Sequence, residues 1–169
     1  MSSESAAEHL ATHTPSQGEA NQRAEGRPHL VVGHDRRPYS QRALAVATDL
    51  AAGLNAYLHV VHILDLDDYP IDPDMPGWEE HAAAVIAREK DQVSTALSGR
   101  LTDWTFAVDR GERVSRLTSV ADECDALMII VGTHGDGLGA ALGHLLRGTS
   151  VSHGLIRRKH RPVLVVPSP

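Results

Sequence analysis

The chain has 169 residues and a formal charge of −6, with 41% hydrophobic residues but only 4% aromatic ones. That length suits one domain, and the scarcity of rings leaves Ala, Val, Leu and Ile to fill a core, as in helices laid on a parallel sheet. The acidic balance argues against general nucleic-acid binding. The single Cys124 excludes an internal disulfide or a multi-cysteine zinc site, and no apolar run reaches the roughly 20 residues that span a bilayer.

Residues 1–27 are rich in Ser, Glu, Ala, Thr and Gln, without an apolar stripe, and are expected to form a disordered tail. They carry no apolar signal core, so a soluble cytoplasmic protein is expected. His9 and His13 stand four apart, but nothing near them supplies further metal ligands. From His29 the chain alternates between element types. His29 to Gly33 is a short apolar run predicted as a buried strand. The spacing then predicts a helix over Gln41–Ala52, with Ala43, Ala47, Leu50 and Leu54 on one face, Ser40 as N-cap and Gly53 at the end. Leu58–Leu64 is a second strand, and Asp65 to Gly77 a loop broken by three prolines.

Residues 78 to 98 form a long amphipathic helix with Ala82, Val85, Ile86, Val93, Ala96 and Leu97 on its apolar side. Trp104–Val108 is the third strand and Glu112–Glu123 the third helix. Ala126–Val131 is the most apolar run and is expected to be the central strand. Thr149–Lys159 is a fourth helix, and Val163–Val166, between Pro162 and Pro167, the last strand. Alternating strands and helices with right-handed crossovers give an α/β, doubly wound, five-stranded parallel sheet with helices on both faces. Such sheets bind ligands beyond the carboxyl ends of their strands, where strand order reverses.

Two features converge on that edge. All 22 acids lie in residues 1–136, whereas residues 137–169 carry Arg147, Arg157, Arg158, Lys159 and Arg161 and no acid. A purely basic segment in an acidic chain hints at an anion handled locally. Within Gly132–Ser150, glycines at 132, 135, 137, 139, 143 and 148 free the backbone to turn N–H groups inward around phosphate. Gly148-Thr149-Ser150 stands at a helix start, where free N–H groups and the dipole favour an anion, and Arg147 adds charge. No lysine lies between Asp91 and Arg158, so a Walker A loop is excluded. Gly135-x-Gly137-x-x-Ala140 has dinucleotide spacing but lacks the later acid that would hold a ribose.

The arrangement resembles the universal stress protein family. Gly132-Thr-His-Gly135 and Gly148-Thr149 match the two ends of its glycine signature, and Asp35 matches the acid just past the first strand. The second and last strands are also similar, and the likeness covers about residues 28–167, implying one universal stress protein domain over 28–169. Two departures stand out. The spacer Asp136–Arg147 has twelve residues where nine is usual, and Asp35-Arg36-Arg37 replaces the common Asp-Gly-Ser.

The resemblance implies a Rossmann-like fold of the adenine nucleotide alpha-hydrolase type. It also implies a homodimeric regulator that binds ATP, with Mg²⁺ an accompanying ion, in the stress response. By position, Asp35 would bond the ribose, Gly33 lie against the adenosine, and Ile63 and Val131 flank the adenine. Gly132, His134 and Gly135 would contact ribose and phosphates, and Gly148, Thr149 and Ser150 the β and γ phosphates. The dimer would form by antiparallel pairing of Val163–Val166 across a two-fold axis, which would also cover an apolar edge strand. Two alternatives on the same fold are a dimeric interaction module without ATP and a cyclic-nucleotide binder or weak ATPase.

No catalytic group is expected. Gly148-x-Ser150-x-Ser152 is not a nucleophile elbow, and no general base is aimed at a γ-phosphate. Asp65, Asp67, Asp68, Asp72 and Asp74 read as a solvated acidic loop, although they lie near enough to consider for Mg²⁺. His59 and His62 point to opposite faces of a strand and cannot share a metal, and no metal site is expected. His144, His153 and His160 read as surface or packing residues, and Cys124 as a small apolar filler.

Overall fold

A computed structural model describes residues 26–35, 37–64, 78–101, 103–133, 151–158 and 161–167. Among them strands and helices alternate: β1 (His29–His34), α1 (Pro38–Leu54), β2 (Tyr57–Leu64), α2 (Trp78–Leu97), β3 (Trp104–Arg110), α3 (Arg113–Glu123), β4 (Met128–Thr133), α4 (Val151–Arg158) and β5 (Val163–Pro167). Each neighbouring pair of strands is parallel, in the order β3-β2-β1-β4-β5. This is the expected doubly wound sheet. The tail of residues 1–25 and the acidic loop 65–77 lie outside the described residues.

The strand order corrects one expectation. β1 occupies the middle of the sheet, and the most apolar run, β4, stands beside it. Apolar continuity reports burial on both faces, which β1 and β4 share, and so carries no information on strand order. Leu30, Val31 and Val32 of β1 are wholly buried, alternating between two apolar layers. Leu30, Val32, Leu58, Val60 and Ile130 pack under α1 and α2, against Ala43, Ala47, Ala51, Val93 and Leu97. Val31, Val61, Ile129 and Val131 pack on the other face against Leu117 and Ala121 of α3 and Leu155 of α4. Each such aliphatic side chain contributes roughly 1.5–3 kcal/mol of transfer free energy.

The first helix starts earlier than predicted. Pro38 takes the first turn, where its missing N–H costs nothing, and Arg37 occupies the N-cap position. Ser40 therefore lies inside the helix and is buried. The helix also runs through Gly53 and ends at Asn55, whose φ of 51° places it in the left-handed region. Its buried face is Ser40, Ala43, Leu44, Ala47, Thr48 and Ala51, so the predicted Leu54 is exposed. In α2 the buried line is Glu89, Val93 and Leu97, while Ala96 is exposed. Glu112 caps α3 rather than beginning it, its carboxylate accepting from the N–H groups of Val114 and Ser115 at 2.8 Å each.

Candidate functional site

Strand order reverses between β1 and β4: the chain leaves β1 toward β2 and β3, then returns to lay β4 and β5 on the other side. A crevice at the carboxyl ends of β1 and β4 follows from that topology. Gly33, His34 and Asp35 close β1, Gly132 and Thr133 close β4, and Ile63 lies near the end of β2. The structure thus brings the described members of the predicted set to one edge of the sheet. His134, Gly135, Gly148, Thr149 and Ser150 lie outside the described residues, as do Arg147, Lys159, His144 and His160.

Asp35 is held on three sides. Its backbone N–H donates to Ser40 Oγ at 2.7 Å, and its Oδ1 accepts the N–H of Arg37 at 2.9 Å, a tight side-chain turn. The Tyr39 hydroxyl stands 3.5 Å from Oδ2 and accepts from Arg37 Nη1 at 2.7 Å. The buried hydroxyl of Ser40 therefore positions the loop after β1 instead of capping the helix. Beside the long contact with Tyr39, Oδ2 keeps further acceptor capacity.

The two described glycines of the set are there for different reasons. A Cβ on Gly132 would fall 2.3 Å from the Tyr39 carbonyl oxygen, so only glycine lets the start of α1 cross β4 at this height. A Cβ on Gly33 would meet Leu117 Cδ1 at 3.2 Å and Val131 Cγ1 at 3.4 Å, a tight but side-chain contact. Ile63 and Val131, predicted as walls for a base, are 8% and 4% exposed within the layer that holds Leu117. They form an apolar floor under α3.

The sequence reading missed an ionic cluster behind Asp35. Glu89 of α2 is 1% exposed, and its Oε2 lies 2.9 Å from His62 Nδ1. That same Nδ1 lies 3.0 Å from the carbonyl oxygen of His34, so one nitrogen links the end of β1 to an ion-pairing carboxylate. Burial alone would lower the His62 pKa, but the hydrogen bond and charge of Glu89 outweigh it and raise it. His34, by contrast, is pushed down by burial, and its Nδ1 has no hydrogen-bond partner among the described residues. A signal for Glu89 existed: it falls on the apolar stripe of α2 between Ile86 and Val93, where an acid requires a partner. A cleft of about 510 Å³ opens between α1 and α2, lined by His34, Thr48, Arg88, Asp91 and Gln92 among others.

The amino-terminal edge of the sheet carries different groups. His29 Nδ1 and His59 Nε2 are 2.8 Å apart with their rings stacked, and His59 Nδ1 lies 3.1 Å from Thr105 Oγ1. No carboxylate offsets burial at His59, and its pKa is pushed down to about 4, first by desolvation and then by His29. Arg161 also lies at this edge, bonded to Asp125 Oδ1 at 2.7 Å and the Ala126 carbonyl at 2.9 Å. That residue's charge, counted in the basic segment, faces away from the crevice. Among the described residues no helix is long and apolar enough to cross a membrane.

The universal stress protein family model matches residues 26–167. The chain is 30% identical over 160 residues to universal stress protein MT2052 of Mycobacterium tuberculosis, covering 82% of this chain and 47% of the relative, so it spans about half that protein's length. Among solved structures it is similar to a universal stress protein in complex with cAMP, at 26% identity and TM-score 0.59, over 83% of this chain and 97% of the other. A structure of the Archaeoglobus fulgidus universal stress protein in complex with dAMP matches at 19% identity and TM-score 0.55, over 83% and 97%.

Proposed function

Since the chain belongs to the universal stress protein family, we propose that it is a stress-response regulator that binds ATP in the crevice between β1 and β4. The observation that carries this reading is Asp35, fixed at the end of β1 by Ser40 and its own loop with a carboxylate oxygen still able to accept. In this reading Asp35 takes the ribose hydroxyls, Gly33 lies against the adenosine, and Ile63 and Val131 supply the apolar floor for adenine. Gly132, His134 and Gly135 contact ribose and phosphates, and Gly148, Thr149 and Ser150 hold the β and γ phosphates by N–H and O–H donors. Mg²⁺ accompanies the triphosphate. The protein acts by binding, with no catalytic residue assigned.

The functional unit is a homodimer. β5 stands at the sheet edge with its other side on β4, and antiparallel pairing of Val163–Val166 with a second copy would satisfy its outer backbone groups. Sedimentation equilibrium is expected to give twice the 18.2 kDa chain mass. A second reading, a cyclic-nucleotide binder, is favoured by the similar structure solved with cAMP at 26% identity. Calorimetric titration with ATP, ADP and cAMP, on the native chain and on Asp35→Ala, separates the readings. ATP binding that weakens about tenfold in the variant supports the first, and preference for cAMP the second. Absence of heat with all three at millimolar concentration contradicts both and leaves the dimeric interaction module.

A further inference from the structure

We propose that His29, His59 and Cys124 form a binding site for a thiophilic transition-metal ion of the Zn²⁺ class, at the amino-terminal end of the sheet. The site is remote from the nucleotide crevice. Gly33 stands four positions beyond His29 along β1, roughly 13 Å of strand.

Three separate parts of the fold deliver the donors. His29 opens β1, and His59 stands third in β2. Parallel pairing sets Val31 opposite His59, so His29, two residues earlier on the same face, lies diagonally across from it. Cys124 ends α3, and the segment after it runs directly against β1, with the Leu127 N–H bonded to the His29 carbonyl at 2.8 Å. The ligand atoms of the three side chains all lie within 4.8 Å of one another, and all three residues are half-buried. They face the layer of Val31 and Ala121, which shields one side and leaves the other toward solvent.

The chemistry of the donor set selects the ion. Two imidazoles and one thiol suit Zn²⁺ or its first-row neighbours and are poor ligands for Mg²⁺ or Ca²⁺. Thr105 supplies an outer contact: with Nδ1–H donating to Thr105 Oγ1, His59 presents the lone pair of Nε2 toward His29 and Cys124. The 2.8 Å contact between His29 Nδ1 and His59 Nε2 is an N–H···N bond in the metal-free chain. Tetrahedral zinc needs its nitrogen ligands about 3.3 Å apart, so the rings must part by about half an ångström. On binding, His29 moves its single ring proton from Nδ1 to Nε2, so that the freed Nδ1 lone pair bonds the ion, and the Cys124 thiol loses its proton to solvent as sulfur bonds the ion. Water completes the fourth position.

The test uses the reduced, metal-free full chain. Because Cys124 is its single cysteine, a thiolate-to-Co²⁺ charge-transfer band can arise nowhere else in one chain. Titration with Co²⁺ is expected to produce that band with tetrahedral visible absorption, saturating at one ion per chain and lost on adding Zn²⁺. Cys124→Ser removes the band, Thr105→Val weakens Zn²⁺ binding by about tenfold, and His59→Gln weakens it further. Zn²⁺ also slows iodoacetamide alkylation of Cys124 by at least about tenfold, a readout on the native chain that no folding defect can imitate. A saturating Co²⁺ titration without the charge-transfer band overturns the proposal. So does Zn²⁺ affinity unchanged in Cys124→Ser and His59→Gln, since the ion would then reside on histidines elsewhere.

Discussion

β2 carries His59 toward its amino end and His62 toward its carboxyl end, and the two surroundings treat these histidines in opposite ways. At the carboxyl end His62 pairs with the buried Glu89, and its pKa rises. At the amino end His59 meets His29 and Thr105 without a carboxylate, and its pKa falls to about 4. The same side chain on the same strand, three residues apart, has its pKa raised in one place and lowered in the other. A single acid on α2 makes the difference. His62 ties the end of β1 through the His34 carbonyl, and His59 keeps a nitrogen lone pair for a metal.

The largest effect that would break this contrast is removal of the acid. Glu89→Ala leaves His62 in an apolar layer without its partner, and about 3–5 kcal/mol of stability is expected to be lost in urea unfolding. The pH dependence gives a sharper reading. The raised His62 pKa contributes stability that is full below the unfolded value of about 6.5 and is lost as pH rises through the folded pKa. Melting temperature should therefore decline on that limb, and Glu89→Gln should flatten it. A native profile rising through the same range would refute the buried ion pair.

His59 has the opposite sign. In the metal-free chain its depressed pKa leaves the folded state neutral while the unfolded chain protonates, so stability falls as pH drops from about 6.5 to about 4. The loss amounts to at most about 3 kcal/mol by linkage. His59→Gln should remove that share of the acid loss, measured as the difference between the two pH profiles. Gly132→Ala is expected to cost about 1–3 kcal/mol, because the added methyl displaces the Tyr39 carbonyl at the start of α1. Gly53→Ala serves as its control, since a Cβ there meets no atom within 4 Å and the residue is helical. The smallest structural effect belongs to Asp35→Ala, expected to lower nucleotide affinity about tenfold, the value of one charge-assisted hydrogen bond, with little change in melting temperature.

The parallel sheet, its reversal point and the strand-end residues Gly33, Asp35, Ile63, Val131 and Gly132 were legible because strand ends are set by local apolar runs. Helix boundaries were less so. Ser40 looked like a cap by residue type, yet Pro38 two residues earlier had already started the helix, and Ser40 served the loop before it. Which of β1 and β4 stands in the middle was invisible, since both are equally apolar on both faces. The two histidine clusters depend on register between strands and on where α2 and α3 pack, contacts 27 to 95 positions apart along the chain. Such pairings leave no local pattern, apart from the acid standing on the apolar stripe of α2.

The most direct test of the central claim is an amide NMR titration of the full chain with ATP, repeated with cAMP. The account predicts that nucleotide shifts the amides of Gly33, Asp35, Val131 and Gly132 at the carboxyl end, while those of His29, His59 and Cys124 stay in place. Shifts confined to the amino end, or none anywhere at millimolar nucleotide, would contradict it.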